Sequence, residues 1–146
     1  MSSFSRRTAM GGALGLLAAP AILHAQPAGG VKIGLVAVQT GPQAALGTQL
    51  RDGYLMGLRH LNGRLGGLTA ETVMIDDELR PDVAVTKVRT ALERDRCDFI
   101  VGVVFSNILQ AIIRPVTEAN TFLISTNAGP STFAGRGCNP FFFTTS

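Results

Sequence analysis

The chain has 146 residues, of which 46 % are hydrophobic and 16 % charged, so it is long enough for one domain with a real core and too apolar to be disordered. Its formal charge is +3, but Arg6 and Arg7 fall in an N-terminal leader; taking them from the 13 Lys and Arg leaves 11 against 10 acidic residues, a net of +1. With one Tyr, no Trp and no basic cluster interleaved with aromatics, the composition excludes a phosphate-tracking groove or a base-stacking platform, and nucleic acid is not an expected partner.

In chain order, SSFSRRTAMGGALGLLAAPAILHA has a charged start, an Ala/Gly/Leu run and small residues at its end, the pattern of an export signal over residues 1–25. Ser5, Arg6 and Arg7 are similar to the twin-arginine type, but Thr8, Ala9 and Met10 displace the usual large apolar residue, so the general secretory route stands beside it. Cleavage is expected after Ala25, with Ala28 as the second choice. The apolar run from Thr8 to Ile22 falls short of the roughly 20 residues a bilayer span needs. VKIGLVAV, 31–38, is a nearly continuous apolar strand of the kind covered on both faces. After the QTGPQAALG loop, Leu50, Tyr54, Leu58 and Leu61 recur at helical spacing, predicting a helix over 48–62 that Asn62 and Gly63 stop. NGRLGG reads as a turn, ETVMID as a second strand, and RPDVAVTKVRTALERD as a helix opened by Pro81. A third strand follows at 98–104, a helix from Ser106 to Ala119, a fourth strand at 121–125, the loop TNAGPSTFAGRGCNP and a last strand in FFFTTS. Alternation at βαβ spacing implies an α/β fold: a doubly wound parallel sheet, helices on both faces, with ligands expected outside the carboxyl ends of the strands.

Ser106 and Asn107 interrupt the apolar stretch FIVGVVFSNILQAI where the third strand passes into a helix. A small polar residue there caps the helix or helps hold an anion on the free amides; Asn107 with Gln110 is similar to a capping box. STNAGPST, after the fourth strand, supplies a second small-residue loop, either an ordinary turn or a close-approach surface beside the first. Catalytic patterns are sparse. His24 lies in the leader and His60 stands alone; Asp76 and Asp77, at a strand end, read as solvated or capping acids rather than an acid and base pair. There is no dinucleotide loop, phosphate loop or nucleophile elbow, and neither an enzyme, a metal nor a cofactor is expected. Cys97 and Cys138 each precede a strand, so a disulfide between them and two free thiols are both open readings.

The leader, VKIGLVAVQTGPQAALGTQLRDG, the IVGVVFSN turn and LISTNAGPSTFAG together resemble the periplasmic solute-binding proteins of branched-chain amino acid ABC transporters, over essentially all of Val31 to Ser146. The resemblance implies a three-layer parallel-sheet sandwich in which residues 26–146 form the first of two lobes that close over a ligand, the second lobe lying beyond this sequence. It implies a carboxylate held by the amide and hydroxyl of Ser106, a backbone carbonyl at Asn127 facing the ligand's ammonium, an Ala128 step, and an amide at Gly129, where the family carries a threonine. Ser131 then supplies the lost hydroxyl, or the ligand is not an ordinary α-amino acid. Leu46 falls where relatives place a residue against the ligand's side chain. The implied function is a periplasmic receptor without catalysis, delivering a small carboxylate-bearing solute to ABC permease subunits and meeting the membrane only through them. The alternatives are a receptor for aromatic or other organic acids, suggested by the ISTNAGPS wording, and a ligand sensor on the same fold.

Overall fold

The computed structural model describes residues 29–145, and its elements alternate as expected: β1 (Val31–Ala37), α1 (Ala44–His60), β2 (Arg64–Leu65), β3 (Leu68–Asp76), α2 (Pro81–Glu93), β4 (Phe99–Gly102), α3 (Ser106–Glu118), β5 (Phe122–Ser125) and β6 (Phe142–Thr144). The expected leader, its cleavage positions and His24 lie outside the described residues. The strands form one sheet in the order β2-β3-β1-β4-β5-β6, parallel throughout except for the short antiparallel pairing of β2 with β3.

Residue alternation divides the sheet into two unequal faces. Val36, Ile75, Ile100 and Leu123 point to one side, where they join Ala84, Val88 and Ala91 of α2 and Ile108, Leu109, Ile112 and Val116 of α3 in a single core. The spacing of the α3 residues puts them on one helical stripe, and burying each contributes about 1.5–3 kcal/mol. On the other side, among the described residues, there is α1 alone, with Tyr54 sharing a 3.1 Å hydrogen bond with Thr72 of β3. The three layers are therefore α1, the sheet, and the α2/α3 pair, the three-layer sandwich that the resemblance implies.

The connections explain the unequal coverage. From β1 the chain steps one way across the sheet to β3, then returns past β1 to β4 and β5 on the other side. Right-handed crossovers in opposite directions place their helices on opposite faces, so α1 lies on one side and α2 and α3 on the other. The reversal falls between β1 and β4, whose carboxyl ends form the topological switch point where α/β sheets bind ligands.

Two differences from the sequence-based expectation have local causes. The first helix starts at Ala44 rather than 48, because Gly47 lets its first turn ride directly over β1: a Cβ there would collide with the Val38 carbonyl. The NGRLGG turn contains β2, since Gly66 and Gly67 both take positive φ and close a two-residue hairpin, so β3 begins at Leu68. The cysteines take one of their two open readings. No disulfide joins Cys97 and Cys138; both are free, the first buried and the second exposed. Cys97 packs over Gly34 of β1, while Cys138 precedes β6, and the whole of β5 lies between β4 and β6. Burial, assisted by the nearby Asp95 carboxylate, pushes the Cys97 thiol up to about 11.

Candidate ligand site at the carboxyl edge

Two loops meet at the switch point. The first leaves β4 through Gly102 (φ 114°) and Val103 (φ 72°), a left-handed pair, with a β-branched residue in the second place. Such a backbone costs about 1–3 kcal/mol and persists only where the surroundings hold it. Here the Val103 N–H donates to the Val36 carbonyl at 2.8 Å, and a Cβ on Gly102 would strike that same carbonyl. The turn delivers Phe105 to the N-cap of α3 and Ser106 to its first helical position, with no side-chain capping bond. The capping reading of Ser106 and Asn107 is thus not realised, and both side chains are exposed. The first-turn amides, which no helical carbonyl reaches, stand at the positive end of the helix dipole.

The second loop leaves β5 and is tied to the first by successive bonds. The Thr126 N–H donates to the Gly102 carbonyl at 2.9 Å and the Ala128 N–H to the Val103 carbonyl at 3.3 Å, while Asn127 Nδ2 donates to the Val104 carbonyl at 2.8 Å. The Ser125 hydroxyl, fully buried, donates to the Ala128 carbonyl at 2.5 Å. Ser106 and the 127–129 segment are therefore held on one rim of the sheet.

A third contribution comes from the loop after β1, which Asp76 organises. Its carboxylate accepts the Gln39 N–H at 2.8 Å, the Thr40 hydroxyl at 2.9 Å and the Glu78 N–H at 3.0 Å. Desolvation acts to raise the Asp76 carboxyl, but those three donors and the Lys87 charge together outweigh it and hold the group below its ordinary value. Asp77 behaves oppositely: burial, abetted by the Asp76 charge, raises it against the Leu79 N–H, and its Oδ2 has no hydrogen-bond partner. Asp77 thus serves its own turn through the Leu79 N–H, whereas Asp76 ties the loop after β1 to the turn after β3.

Between α1 and the sheet, opening at this rim, lies a cavity of about 490 Å³ lined by Leu35, Leu46, Leu50, Tyr54, Val101 and Val104, with Gln49, Thr126 and Asn127 as its polar groups. Of the residues expected to meet the ligand, Leu46 and Asn127 line it; Ser106, Gly129 and Ser131 sit outside its wall, exposed. Ser131 opens a short 3-10 turn, Ser131–Phe133, whose Phe133 packs towards the core. Ala128, expected in the ligand set, faces inward instead: it is 3 % exposed and belongs to the core. Thr126, Gln49 and Tyr54 were not singled out by sequence. Thr126 adjoins the Asn127 loop and Tyr54 shares a helical stripe with Leu50, but which face overlooks a cavity depends on the sheet order. Among the described residues no group of three His, Cys, Asp or Glu is gathered for a metal ion, and no helix is long and apolar enough to cross a membrane.

A family profile described as periplasmic binding protein matches residues 30–146. The chain belongs to that family. A relative from Pseudomonas aeruginosa, described as a leucine-, isoleucine-, valine-, threonine- and alanine-binding protein, is 31 % identical over 116 residues, covering 78 % of this chain and 31 % of the relative. Among solved structures, an ABC transporter substrate-binding protein from Sphaerobacter thermophilus shares 29 % identity at a TM-score of 0.75, over 80 % of this chain and 32 % of the other. A solute-binding protein of an ABC transporter from R. palustris, solved with benzoate, shares 29 % identity at a TM-score of 0.76, over 81 % of this chain and 33 % of the other. The chain thus spans about a third of the length of the family members it matches.

Proposed function

We propose that the protein is the extracytoplasmic solute receptor of an ABC importer, and that residues 26–146 are the first of two lobes closing over a small carboxylate-bearing ligand. Residues 1–25 export it to the periplasm, where it hands the ligand to permease subunits; no bond is made or broken. The single observation that carries this reading is the tying of the Asn127 loop to the β4–α3 turn beside an exposed Ser106. That arrangement gathers helix-start amides, a hydroxyl and a loop carbonyl and amide on one rim. Charge-assisted hydrogen bonds from such donors suit a carboxylate.

The ligand's other end lies against Leu46 and the apolar wall of the cavity. Two of the three named relatives inform the choice: one is described as binding leucine, isoleucine, valine, threonine and alanine, and another was solved with benzoate. Leu46 leaves room in the cavity, and the hydroxyl-free Gly129 removes one donor that an α-amino acid would use, so aromatic acids stand as the second ligand class. Isothermal titration of the full-length receptor with leucine, isoleucine, valine and benzoate tests the proposal. Saturable binding of at least one is expected, and binding of no carboxylate would sink it.

A further inference from the structure

We infer that Ser125, fully buried beneath the rim, is the positioning residue that aims the Asn127–Gly129 segment outward; this rests on the carboxylate-receptor reading above. Ala128 is gripped at both of its backbone groups. Its N–H donates inward to the Val103 carbonyl at 3.3 Å, and its carbonyl accepts the buried Ser125 hydroxyl at 2.5 Å. All peptide bonds among the described residues are trans, and in a planar trans peptide the C=O and the following N–H point in opposite directions. Because the Ala128 carbonyl is drawn inward, the Gly129 N–H must point outward. Because the Ala128 N–H is drawn inward, the Asn127 carbonyl must point outward as well. One residue turned in thus directs the Asn127 carbonyl and the Gly129 N–H away from the core, side by side.

The two grips are not equivalent. The Val103 bond is backbone to backbone and survives any side-chain change, whereas the second grip depends on one hydroxyl. Without it, the Ala128 carbonyl would sit buried and unpaired, a costly state that rotation of the 128–129 peptide relieves. That rotation swings the Gly129 N–H off the rim. Among the described residues the Gly129 N–H donates to no backbone carbonyl, so no backbone bond opposes that rotation. Gly129, lacking a Cβ, offers little resistance to the rotation. Ser125 is therefore a specific requirement for the donor, not only a filler of the core.

The test uses the full-length receptor as wild type, Ser125→Ala and Ser125→Cys, the latter nearly isosteric with a weak donor. Residual dipolar couplings report the Gly129 N–H direction without any ligand, with α2 amides as internal controls. Titration with acetate, leucine and benzoate reports affinity. The Gly129 coupling should change in Ser125→Ala and shift partway in Ser125→Cys while α2 stays fixed, and affinity for the bound carboxylate should fall about tenfold or more in the same order. If Ser125→Ala fails to fold, the Ser125→Cys coupling decides. An unchanged Gly129 direction, or affinity within twofold of wild type, overturns the positioning role. If no carboxylate binds wild type while the coupling still changes, the receptor reading fails and the orientation effect stands.

Discussion

At the residue scale the polar groups near the rim are of two kinds: those bonded into the scaffold and those exposed at its edge. Ser106 is of the second kind, exposed at the first position of α3 with Phe105 as N-cap. Replacing it by Ala in the full-length receptor should weaken carboxylate binding by about 1–3 kcal/mol while leaving Tm nearly unchanged, measured by titration calorimetry and thermal melts. Equal losses in affinity and Tm would make it a structural residue. Asp77 is of the first kind, fully buried with a raised carboxyl. Below its unfolded value of about 3.9 both states are protonated and the group costs nothing; as pH rises towards the folded value the unfolded chain ionises first, and stability drains away. Asp77→Asn mimics the neutral, protonated carboxyl, so the Tm advantage of that variant over wild type should grow with rising pH across this window. A difference independent of pH would remove the titration from the explanation. Asp76, held low, has the opposite sign: its contribution is present above its unfolded value and is lost as pH falls through the folded one.

At the element scale the β4–α3 connection bears backbone strain, with Gly102 and Val103 both at positive φ. Gly102 at φ 114° packs its Hα against the Val36 carbonyl, where no larger residue fits. Gly102→Ala should therefore destabilise the lobe by about 2 kcal/mol or more, read as a lowered denaturation midpoint with unchanged slope. Helix α3 is anchored differently, by a buried stripe. Ile112→Ala, at a position with no exposure, should cost about 2–5 kcal/mol without altering ligand preference. The helix ends are also defined by backbone. Asn120 (φ 53°) and Asn62 (φ 54°) take left-handed conformations, and the Thr121 N–H reaches back to the Val116 carbonyl as the Gly63 N–H does to that of Leu58, the arrangement that stops a helix cleanly.

At the scale of the whole molecule the unequal coverage of the sheet dominates. Two helices cover one face, but α1 covers only part of the other, and there Phe122 packs on Phe99, Phe141 and Phe143 with ring centroids 5.2–6.0 Å apart. Phe143 is 53 % exposed. A contiguous aromatic patch of this kind drives association in water. Residues 26–146 expressed alone should self-associate with rising concentration in sedimentation equilibrium, and Phe143→Ser should shift the balance towards monomer. A strictly monomeric wild-type segment would contradict this.

The order of elements, the parallel sheet and the rim that carries Ser106 and Asn127 were legible from sequence, because apolar period and turn residues act locally and βαβ spacing admits one hand of crossover. The Gly66–Gly67 hairpin was half legible: its glycines marked a turn, but two residues of β2 are too few for a pattern. The fate of the cysteines, the inward turn of Ala128 and the grip of Ser125 were not legible, nor was the wall that Gln49, Tyr54 and Thr126 give the cavity. Each of those depends on which strands become neighbours and which way a peptide plane rotates. Only the three-dimensional packing of distant segments decides that, since the local sequence is compatible with either direction.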